Sequence, residues 1–425
     1  MKNIINTIYT GDNLYVLHGL NNELVDLIYL DPPFNSKKKF DAPIGSKAAG
    51  ASFEDMWSWD DIDSAYLDEM ITNYPFMVQF IQSIGRLHSA SMKAYITYMS
   101  QRIIELHRIL KNTGSFYLHC DTSASHYLKL VCDRIFGKNN FRNEITWKRS
   151  AAHSDAKSSY GRVTDSILFY TKSNQFYLNQ STIPHSEEYI SSEWRKLPNG
   201  RYYKTENMLD PQKKMKEYSF HGRIARWRYT LNKNEELWNA KQTEVPNSHG
   251  RVKLGKDGLP LKRGKIVFLD ELIDKRGGMQ VQDLWDDIKY IAGRSKESTG
   301  YPTQKPLKLL ERIIESSSKD GDLVLDPFCG CATTCVAAQN LNRKWIGIDI
   351  SETAGRLVIE RLTENKTLFD KFVHLKSNPI RTDLKEIDSS SRNTKNILYK
   401  NQDGKCNACE TEMDERHFEI DHIIP

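Results

Sequence analysis

Short apolar runs that each end at an acidic turn are the feature of this chain that most constrains its fold. Residues 4–9 run into Gly11-Asp12, and Val25–Leu30 runs into Asp31, with a helix-like stretch over residues 13–20 between them. Strands that are apolar along their whole length are typical of parallel sheets covered on both faces, and helices usually connect them. The pattern therefore predicts an α/β fold with a doubly wound, mostly parallel sheet, whose sites lie at the carboxyl ends of strands.

The same alternation recurs in two later blocks. Apolar residues at helical spacing over 103–110 predict a helix, followed by strands at 115–119, 144–148 and 166–171. The second block begins after Pro306 with a predicted helix over 307–317, a strand at 323–325, a helix over 336–341 and a strand over 344–348. Both blocks have the order of helices and strands that a doubly wound sheet needs.

The segment between these blocks, residues 175–300, has turn signals and little sustained periodicity, which predict a separate, loop-rich insertion. Within it, residues 191–265 hold 18 Lys and Arg against 8 Asp and Glu, a balance of +10 in a chain of net charge +5. Basic residues mixed with aromatic ones suit a phosphate backbone and stackable bases, and a solvated basic face is the alternative. The aromatic residues are Trp194, Tyr202, Tyr203, Tyr218, Phe220, Trp227, Tyr229 and Trp238, and the candidate DNA contacts are Lys213, Lys214, Lys216, Arg223, Arg226 and Arg228.

Composition excludes several other classes. The chain has 425 residues, 39% hydrophobic and 27% charged, which suits two or three globular domains and not a disordered chain. No apolar run approaches the roughly 18 residues that span a bilayer, and no signal-peptide stretch is visible, so the predicted location is the cytoplasm. Five of the seven cysteines lie among apolar or small residues, so free thiols are expected at Cys120, Cys132, Cys329, Cys331 and Cys335.

A turn rich in small residues, DPFCGCATT over 326–334, lies between a predicted strand and a predicted helix. Small residues there let backbone amides approach a ligand, and the helix N-terminus favours negative charge. Asp349 ends the next strand about 20 residues later, where a carboxylate can accept hydrogen bonds from ribose hydroxyl groups. The spacing predicts a nucleoside-containing cofactor, with a merely tight strand–helix turn as the alternative.

The sequence Asp31-Pro32-Pro33-Phe34 ends the second predicted strand. Prolines cannot continue a hydrogen-bonded ladder, so one interpretation is a rigid turn that terminates the strand. In the functional interpretation, the Asp31 carboxylate and the Pro32 carbonyl each accept one hydrogen of an exocyclic amine while Phe34 stacks on its base. Holding both hydrogens localises the nitrogen lone pair for in-line attack, so these four residues are the candidate catalytic site.

Several motifs, in this order, resemble the beta group of DNA amino-methyltransferases, which transfer methyl from S-adenosylmethionine to adenine N6 or cytosine N4. The resemblance covers most of residues 1–365. As in that group, DPPF precedes the basic segment and the cofactor turn comes last, a circularly permuted order. The motifs are GDNLYVL (11–17), DLIYLDPPF (26–34), GSFYLHCD (114–121), FRNEITWKR (141–149), YPTQKPLKLLERII (301–314), DLVLDPFCG (322–330) and WIGIDIS (345–351).

This resemblance implies a seven-stranded, Rossmann-like methyltransferase sheet, S-adenosylmethionine as cofactor and double-stranded DNA as partner. It also favours adenine N6, since cytosine N4 relatives usually carry Ser at the position of Asp31. The cofactor turn reads Gly-Cys-Ala where the family more often has Gly-Ser-Gly, so Ala332 carries a conformational cost if its φ is positive. The implied cofactor residues are Asp326, Phe328, Gly330 and Thr333 in the turn, Asp349 at the ribose, Asp12 near the adenine, and Thr303, Gln304 and Lys305 over the methionine end.

A second pattern lies near residue 425. Cys406 and Cys409 have metal-knuckle spacing, and Asp421-His422 follows. This resembles the opening of an HNH nuclease, in which His is the general base, Asp binds a divalent cation and Cys pairs hold zinc; a chance CxxC in a disordered tail is the alternative. The later Asn, the last His and a second Cys pair do not follow before Pro425, so this incomplete segment is predicted not to cut DNA.

The predicted organisation is a methyltransferase catalytic part over 1–174, a basic target-recognition region over 175–300 and a methyltransferase cofactor-binding part over 301–376. A linker over 377–396 and a partial HNH-like segment over 397–425 follow. The leading hypothesis is a site-specific DNA adenine-N6 methyltransferase that flips its target base, in a restriction-modification or related system. Cytosine N4 methylation, metal-dependent HNH cleavage and DNA binding without catalysis are the alternatives, and a homodimer is left open.

Overall fold

A nine-stranded sheet forms the centre of the computed structural model, which describes residues 5–43, 46–151, 158–212, 214–241, 244–292, 295–364 and 372–383. In chain order its strands are β1 Thr7–Thr10, β2 Val25–Leu30, β3 Leu110–Cys120, β4 Phe141–Lys148, β5 Thr164–Thr171, β6 Leu284–Trp285, β7 Leu323–Asp326, β8 Lys344–Asp349 and β9 Val373–Leu375. Their spatial order is β6-β4-β5-β3-β2-β7-β8-β1-β9. Within this sheet β5 runs antiparallel to β3 and β4, and the other neighbours pair in parallel.

The predicted doubly wound, mostly parallel architecture is confirmed. The sheet has nine strands and not seven, because β6, with two residues, and β9, with three, extend its two edges. Such short edge strands have little apolar content from which to predict them. The first predicted strand also begins three residues late, at Thr7, while β2 matches its predicted bounds.

Helices cover both faces of the sheet because successive strand residues face two different cores. Ile28 and Leu30 of β2 pack in one core, and Leu27 and Tyr29 pack in the other. The first core is closed by α1, α3 and α4, and the second by α9, α10 and α11. The helices are α1 Asn13–His18, α2 Ser64–Asn73, α3 Pro75–Leu87, α4 Ala90–Ile109, α5 Ser125–Cys132, α6 Glu187–Glu193, α7 Leu231–Asn239, α8 Leu269–Arg276, α9 Leu307–Ser317, α10 Thr333–Asn340 and α11 Glu352–Glu364.

The basic insertion is more ordered than its predicted loop-rich character. It contains a five-stranded antiparallel sheet formed by Arg195–Lys196, Tyr202–Glu206, Ser248–His249, Val252–Leu254 and Pro260–Phe268. Its aromatic residues supply much of its own core: Phe220 and Trp227 are fully buried, and Trp194 and Tyr203 are nearly so. The expectation that these four side chains stack on bases was therefore wrong, because a small sheet needs large apolar side chains to close its core.

Several sequence-based predictions fall outside the described residues. These are Cys406, Cys409, Asp421 and His422 of the HNH-like segment, and most of the predicted linker. The five cysteines expected to be free thiols are all described, and each is buried and unpaired with another cysteine. None of the helices in the described part of the chain is long and apolar enough to cross a membrane.

Candidate active site

One cavity of about 1150 Å³ lies at the edge of the sheet where β1, β2, β7 and β8 end. Parallel strands present their carboxyl ends on the same edge, so acidic residues far apart in sequence meet there. The structure thus brings all the catalytic and cofactor candidates to one place: Asp12, Asp31, Pro32, Pro33, Phe34, Thr303, Gln304, Lys305, Asp326, Phe328, Gly330, Thr333 and Asp349 line this cavity.

The catalytic turn follows β2 directly. Oδ1 of Asp31 is buried and has no hydrogen-bond partner among the described residues, whereas Oδ2 accepts a hydrogen bond from Nζ of Lys305. The same ammonium lies 5.5 Å from the centre of the Phe34 ring. Lys305, which the resemblance assigned to the cofactor, is therefore bonded to Asp31, the candidate catalytic carboxylate, and the other oxygen of this carboxylate is left without a partner among the described residues.

His119 provides the wall behind Phe34. The two rings stack with centroids 5.9 Å apart and an interplanar angle of 27°. The imidazole is fully buried, with Nδ1 2.9 Å from the Tyr29 hydroxyl and Nε2 3.2 Å from Asp165. Burial is the largest single influence and raises the pKa of Asp165, but the hydrogen bond from His119 and the nearby charged groups, Lys305 and Arg149 among them, together outweigh it, and the pKa is lowered overall. His119 thus packs in the interior, with its ring against that of Phe34.

Asp326 at the end of β7 is used by its own turn. Its Oδ1 accepts from the Phe328 amide at 3.0 Å, and its Oδ2 accepts from the Thr334 hydroxyl at 2.5 Å. Burial raises the pKa of this carboxyl to about 7, and the two hydrogen bonds oppose that rise. The turn also places Ala332 at φ 56°, so the anticipated conformational cost of alanine at this position is present.

Asp349 closes the neighbouring strand end. Its Oδ2 accepts from the Gly330 amide at 2.9 Å and its Oδ1 from the Ser351 amide at 2.8 Å. Burial raises its pKa above the usual range, and these amides oppose the effect. A Cβ added at Gly330 would lie 2.9 Å from Cε1 of Tyr301, and Gly330 has φ 50°, so a larger residue would be strained at this position.

Arg102 is a site residue that the sequence analysis missed. It is 1% exposed, its Nη2 donates to Asp12 at 2.8 Å, and its guanidinium lies 3.2 Å from the centre of the Tyr98 ring. Its Nε also donates to Asn13 at 2.6 Å. The available signal was an arginine that follows Gln101 and precedes the apolar residues Ile103 and Ile104 in the helix, which is weak without the fold.

The loop before α9 is held by its own side chains. Oε1 of Gln304 accepts from both the amide and the hydroxyl of Thr299 at 2.8 Å, and its Nε2 donates to the Glu297 carbonyl at 2.8 Å. Thr303 adopts φ 63°. Gln304 is therefore placed at the cavity chiefly as a support of this loop.

The DNA-contact candidates do not form one cluster of unpaired cations. Arg223 is paired with Asp257 at 2.7 Å, and Arg226 lies 3.7 Å from Glu217. Lys214, Lys216 and Arg228 are exposed, and Lys213 lies outside the described residues. A separate groove of about 660 Å³ collects more positive charge, with Arg228 joined by Lys204, Lys262, Arg263 and Lys265 against Glu193 and Glu206.

The fold and the cavity together define a doubly wound enzyme with a nucleoside-type pocket and a free carboxylate acceptor. The family model for DNA methylases of the N6/N4 class matches residues 25–360, and the chain belongs to this family. Methylases of this family use S-adenosylmethionine as methyl donor, so it is the cofactor of this chain. The cavity fits such a group, because it has a volume of about 1150 Å³ and is lined by the Asp349 carboxylate beside the glycine-containing turn at Gly330.

The chain is similar to several bacterial methyltransferases. The type II methyltransferase M.EcaI of Enterobacter cloacae is 28% identical over 378 residues, which cover 88% of this chain and 73% of the relative. The DNA adenine methyltransferase YhdJ of Escherichia coli K12 is 25% identical, with 84% of this chain and 82% of the relative covered. The type III StyLTI Mod subunit of Salmonella typhimurium is 27% identical over 81% of this chain, which spans 51% of that subunit.

Proposed function

We propose that this DNA methyltransferase methylates N6 of adenine in duplex DNA, as the cytoplasmic modification enzyme of a restriction-modification system. The observation that carries the proposal is the buried Oδ1 of Asp31, which has no partner among the described residues. A buried acceptor without a donor is costly, so its native partner is expected to be a substrate hydrogen. The names of the relatives, a DNA adenine methyltransferase and type II and III modification enzymes, support the same assignment.

The residues of the turn account for the chemistry. The amine nitrogen of adenine is a poor nucleophile because its lone pair is delocalised into the ring. Asp31 and the Pro32 carbonyl each accept one amine hydrogen, which localises the lone pair towards the methyl group. S-adenosylmethionine, when bound, supplies an electrophilic methyl carbon on a sulfonium. With this cofactor bound, methyl transfer would form the N–C bond at the expense of the C–S bond, whose electron pair would stay on sulfur, and the Asp31 carboxylate would accept the amine proton that is released.

Target recognition falls to the basic insertion in this proposal. The groove that contains Arg228, Lys262 and Arg263 has more cations than acidic side chains, which suits contact with the DNA backbone. Replacing these three residues by Glu is expected to weaken DNA binding and to lower the slope of log affinity against log salt by about one per lost phosphate contact. Lys214 and Lys216, exposed elsewhere in the insertion, give the matched comparison. If their reversal reduces the slope and groove reversal does not, DNA lies on the other face.

Labelled methyl transfer to plasmid DNA, followed by nucleoside analysis, tests the proposal. N6-methyladenine is the expected product, and Asp31→Asn should slow its formation by about 100- to 1000-fold. N4-methylcytosine would replace the adenine assignment. DNA binding without transfer would favour a binding module, and metal-dependent cleavage would favour the HNH nuclease.

Base flipping is the second part of the proposal. The amine of a paired adenine is not accessible to Asp31 at the strand end, so the nucleotide must leave the stack, at a cost of a few kcal/mol. Phe34, backed by His119, recovers part of this cost by stacking. A mismatched target should bind more tightly than a paired one. With 2-aminopurine at the target, Phe34→Ala should show the larger fluorescence rise; no mismatch preference and no fluorescence change in either protein would rule flipping out.

A further inference from the structure

We propose that Asp55 is a positioning residue for the catalytic turn, acting through the backbone amides that follow Phe34. The inference rests on the proposed function, because it assumes that residues 31–34 meet the target base. No motif marked Asp55; it lies in an acidic stretch that the sequence analysis did not use.

The backbone after Phe34 adopts a conformation that is intrinsically unfavourable for non-glycine residues. Asn35 has φ 61° and Lys37 has φ 60°, both in the left-handed region that favours glycine. Two non-glycine residues in this region, one residue apart, persist only where the surroundings hold them. The segment therefore needs an external partner.

Asp55 supplies that partner at four points. Its Oδ1 accepts from the Asn35 amide at 2.6 Å and its Oδ2 from the Ser36 amide at 2.7 Å. Its main chain pairs with the same segment, accepting from the Lys37 amide at 2.8 Å and donating to the Lys38 carbonyl at 2.8 Å. The side chain is 2% exposed, so this carboxylate lies in a concavity of backbone amides shielded from water.

This contact bears on catalysis because the held amides are adjacent in the chain to the reacting groups. Asn35 directly follows Phe34, so release of its amide would let the aromatic ring and the Pro32 carbonyl shift together. Displacements of about 1 Å at such positions reduce rates by about 100-fold, although the residue that moved touches no substrate. Asp55 also lines the same cavity as Asp31.

The test replaces Asp55 by Asn, which keeps the shape of the side chain. Its carboxamide NH2, a hydrogen-bond donor, then faces one of the two backbone N–H groups in place of an acceptor. We expect kcat to fall by about 10- to 100-fold while the Kd for S-adenosylmethionine changes less than about threefold. The matched control is Asp68→Asn, an exposed carboxylate of α2 that does not line the cavity, for which kcat should not change. Equal losses in kcat and cofactor affinity, or no loss in either, would overturn the proposal.

Two further measurements separate positioning from general stability. Amide hydrogen exchange in a peptide spanning residues 34–37 should accelerate in Asp55→Asn and remain unchanged in Asp68→Asn, a readout independent of methyl transfer. Asn35→Gly, which adopts a positive φ without cost, should restore part of kcat in the Asp55→Asn background. Absence of both effects would overturn the assignment. If the Asp55→Asn variant does not fold, the double variant Asn35→Gly, Asp55→Asn is expected to fold. If the double variant does not fold either, the destabilisation arises outside the turn, and the proposal is overturned.

Should wild-type protein transfer no methyl group to adenine, the proposed function fails while the exchange measurement still tests the contact. Conversely, the wild type could transfer methyl groups normally while the Asp55→Asn substitution changes neither kcat nor amide exchange. That result would overturn only the role of Asp55. The two outcomes are therefore distinguishable.

Discussion

Two adjacent strands of the sheet, β2 and β7, end in nearly the same sequence, Asp-Pro-Pro-Phe at 31–34 and Asp-Pro-Phe at 326–328, and both face one cavity. At Asp326 both carboxylate oxygens are bonded within the turn, to Phe328 and Thr334. At Asp31 one oxygen is paired with Lys305 and the other has no partner in the described part of the chain. Identical side chains at equivalent strand ends thus differ in their hydrogen bonds: both oxygens of Asp326 are bonded within its own turn, and our proposal assigns the unpartnered oxygen of Asp31 to a substrate hydrogen.

The strongest test of this difference is Asp31→Asn. The amide keeps the shape but removes the charge that attracts the amine hydrogen, so kcat should fall by about 100- to 1000-fold, as for loss of a polar group that acts in the transition state. The Kd for S-adenosylmethionine, measured by equilibrium dialysis, should change less than about threefold. A cofactor Kd that rose as far as kcat fell would show that Asp31 also belongs to the cofactor pocket.

The next largest effect is expected at Asp349, whose carboxylate the amides of Gly330 and Ser351 hold in the cavity. Asp349→Ala should weaken S-adenosylmethionine binding by about 1.5–3 kcal/mol, the scale of hydrogen bonds to a charged acceptor. The same dialysis experiment measures it, with Asp31→Asn as the matched control. An unchanged Kd would remove Asp349 from the cofactor site.

Asp326→Asn should retain methyl transfer, in contrast to Asp31→Asn. An amide at this position can accept from the Phe328 amide and donate to the Thr334 hydroxyl, so both bonds of the turn survive. Burial raises the pKa of Asp326 in the folded protein to about 7. The unfolded chain loses this proton at lower pH, so the wild type loses stability as pH rises from about 4 to 7, by at most roughly 1.4 kcal/mol per pH unit. The variant has no such group to ionise.

The Tm difference, variant minus wild type, should therefore increase between pH 5 and pH 8, and methyl transfer should remain. Thermal unfolding monitored by circular dichroism at each pH is the measurement. A cofactor Kd weakened as far as in Asp349→Ala would instead support the role that the resemblance implies for Asp326, that of a direct cofactor contact.

The same comparison shows what sequence could and could not predict. Apolar runs and the acidic residues that end them were sufficient for β2, for α9 and for the meeting of Asp12, Asp31, Asp326 and Asp349 at one edge, because parallel strands impose that placement. Contacts between side chains distant in sequence, such as Lys305 with Asp31 and Arg102 with Asp12, follow only from the assembled fold. In the insertion, aromatic residues that pack in a core are interspersed in the sequence with charged residues. Composition alone therefore could not distinguish packing from DNA contact.

The smallest expected effect concerns the left-handed residue in the cofactor turn. Ala332→Gly relieves about 1–2 kcal/mol of strain at φ 56°. It also deletes a fully buried methyl group, worth about 0.8 kcal/mol, and makes the unfolded chain more flexible by about 0.4–1 kcal/mol. These terms nearly cancel, so chemical denaturation should show a change within about 1 kcal/mol. Ala332→Val is the matched contrast, because a branched side chain at positive φ in a packed site should lower stability clearly; equal stability of the two variants would mean that the turn relaxes to negative φ, and that the strain at β7 is absent in solution.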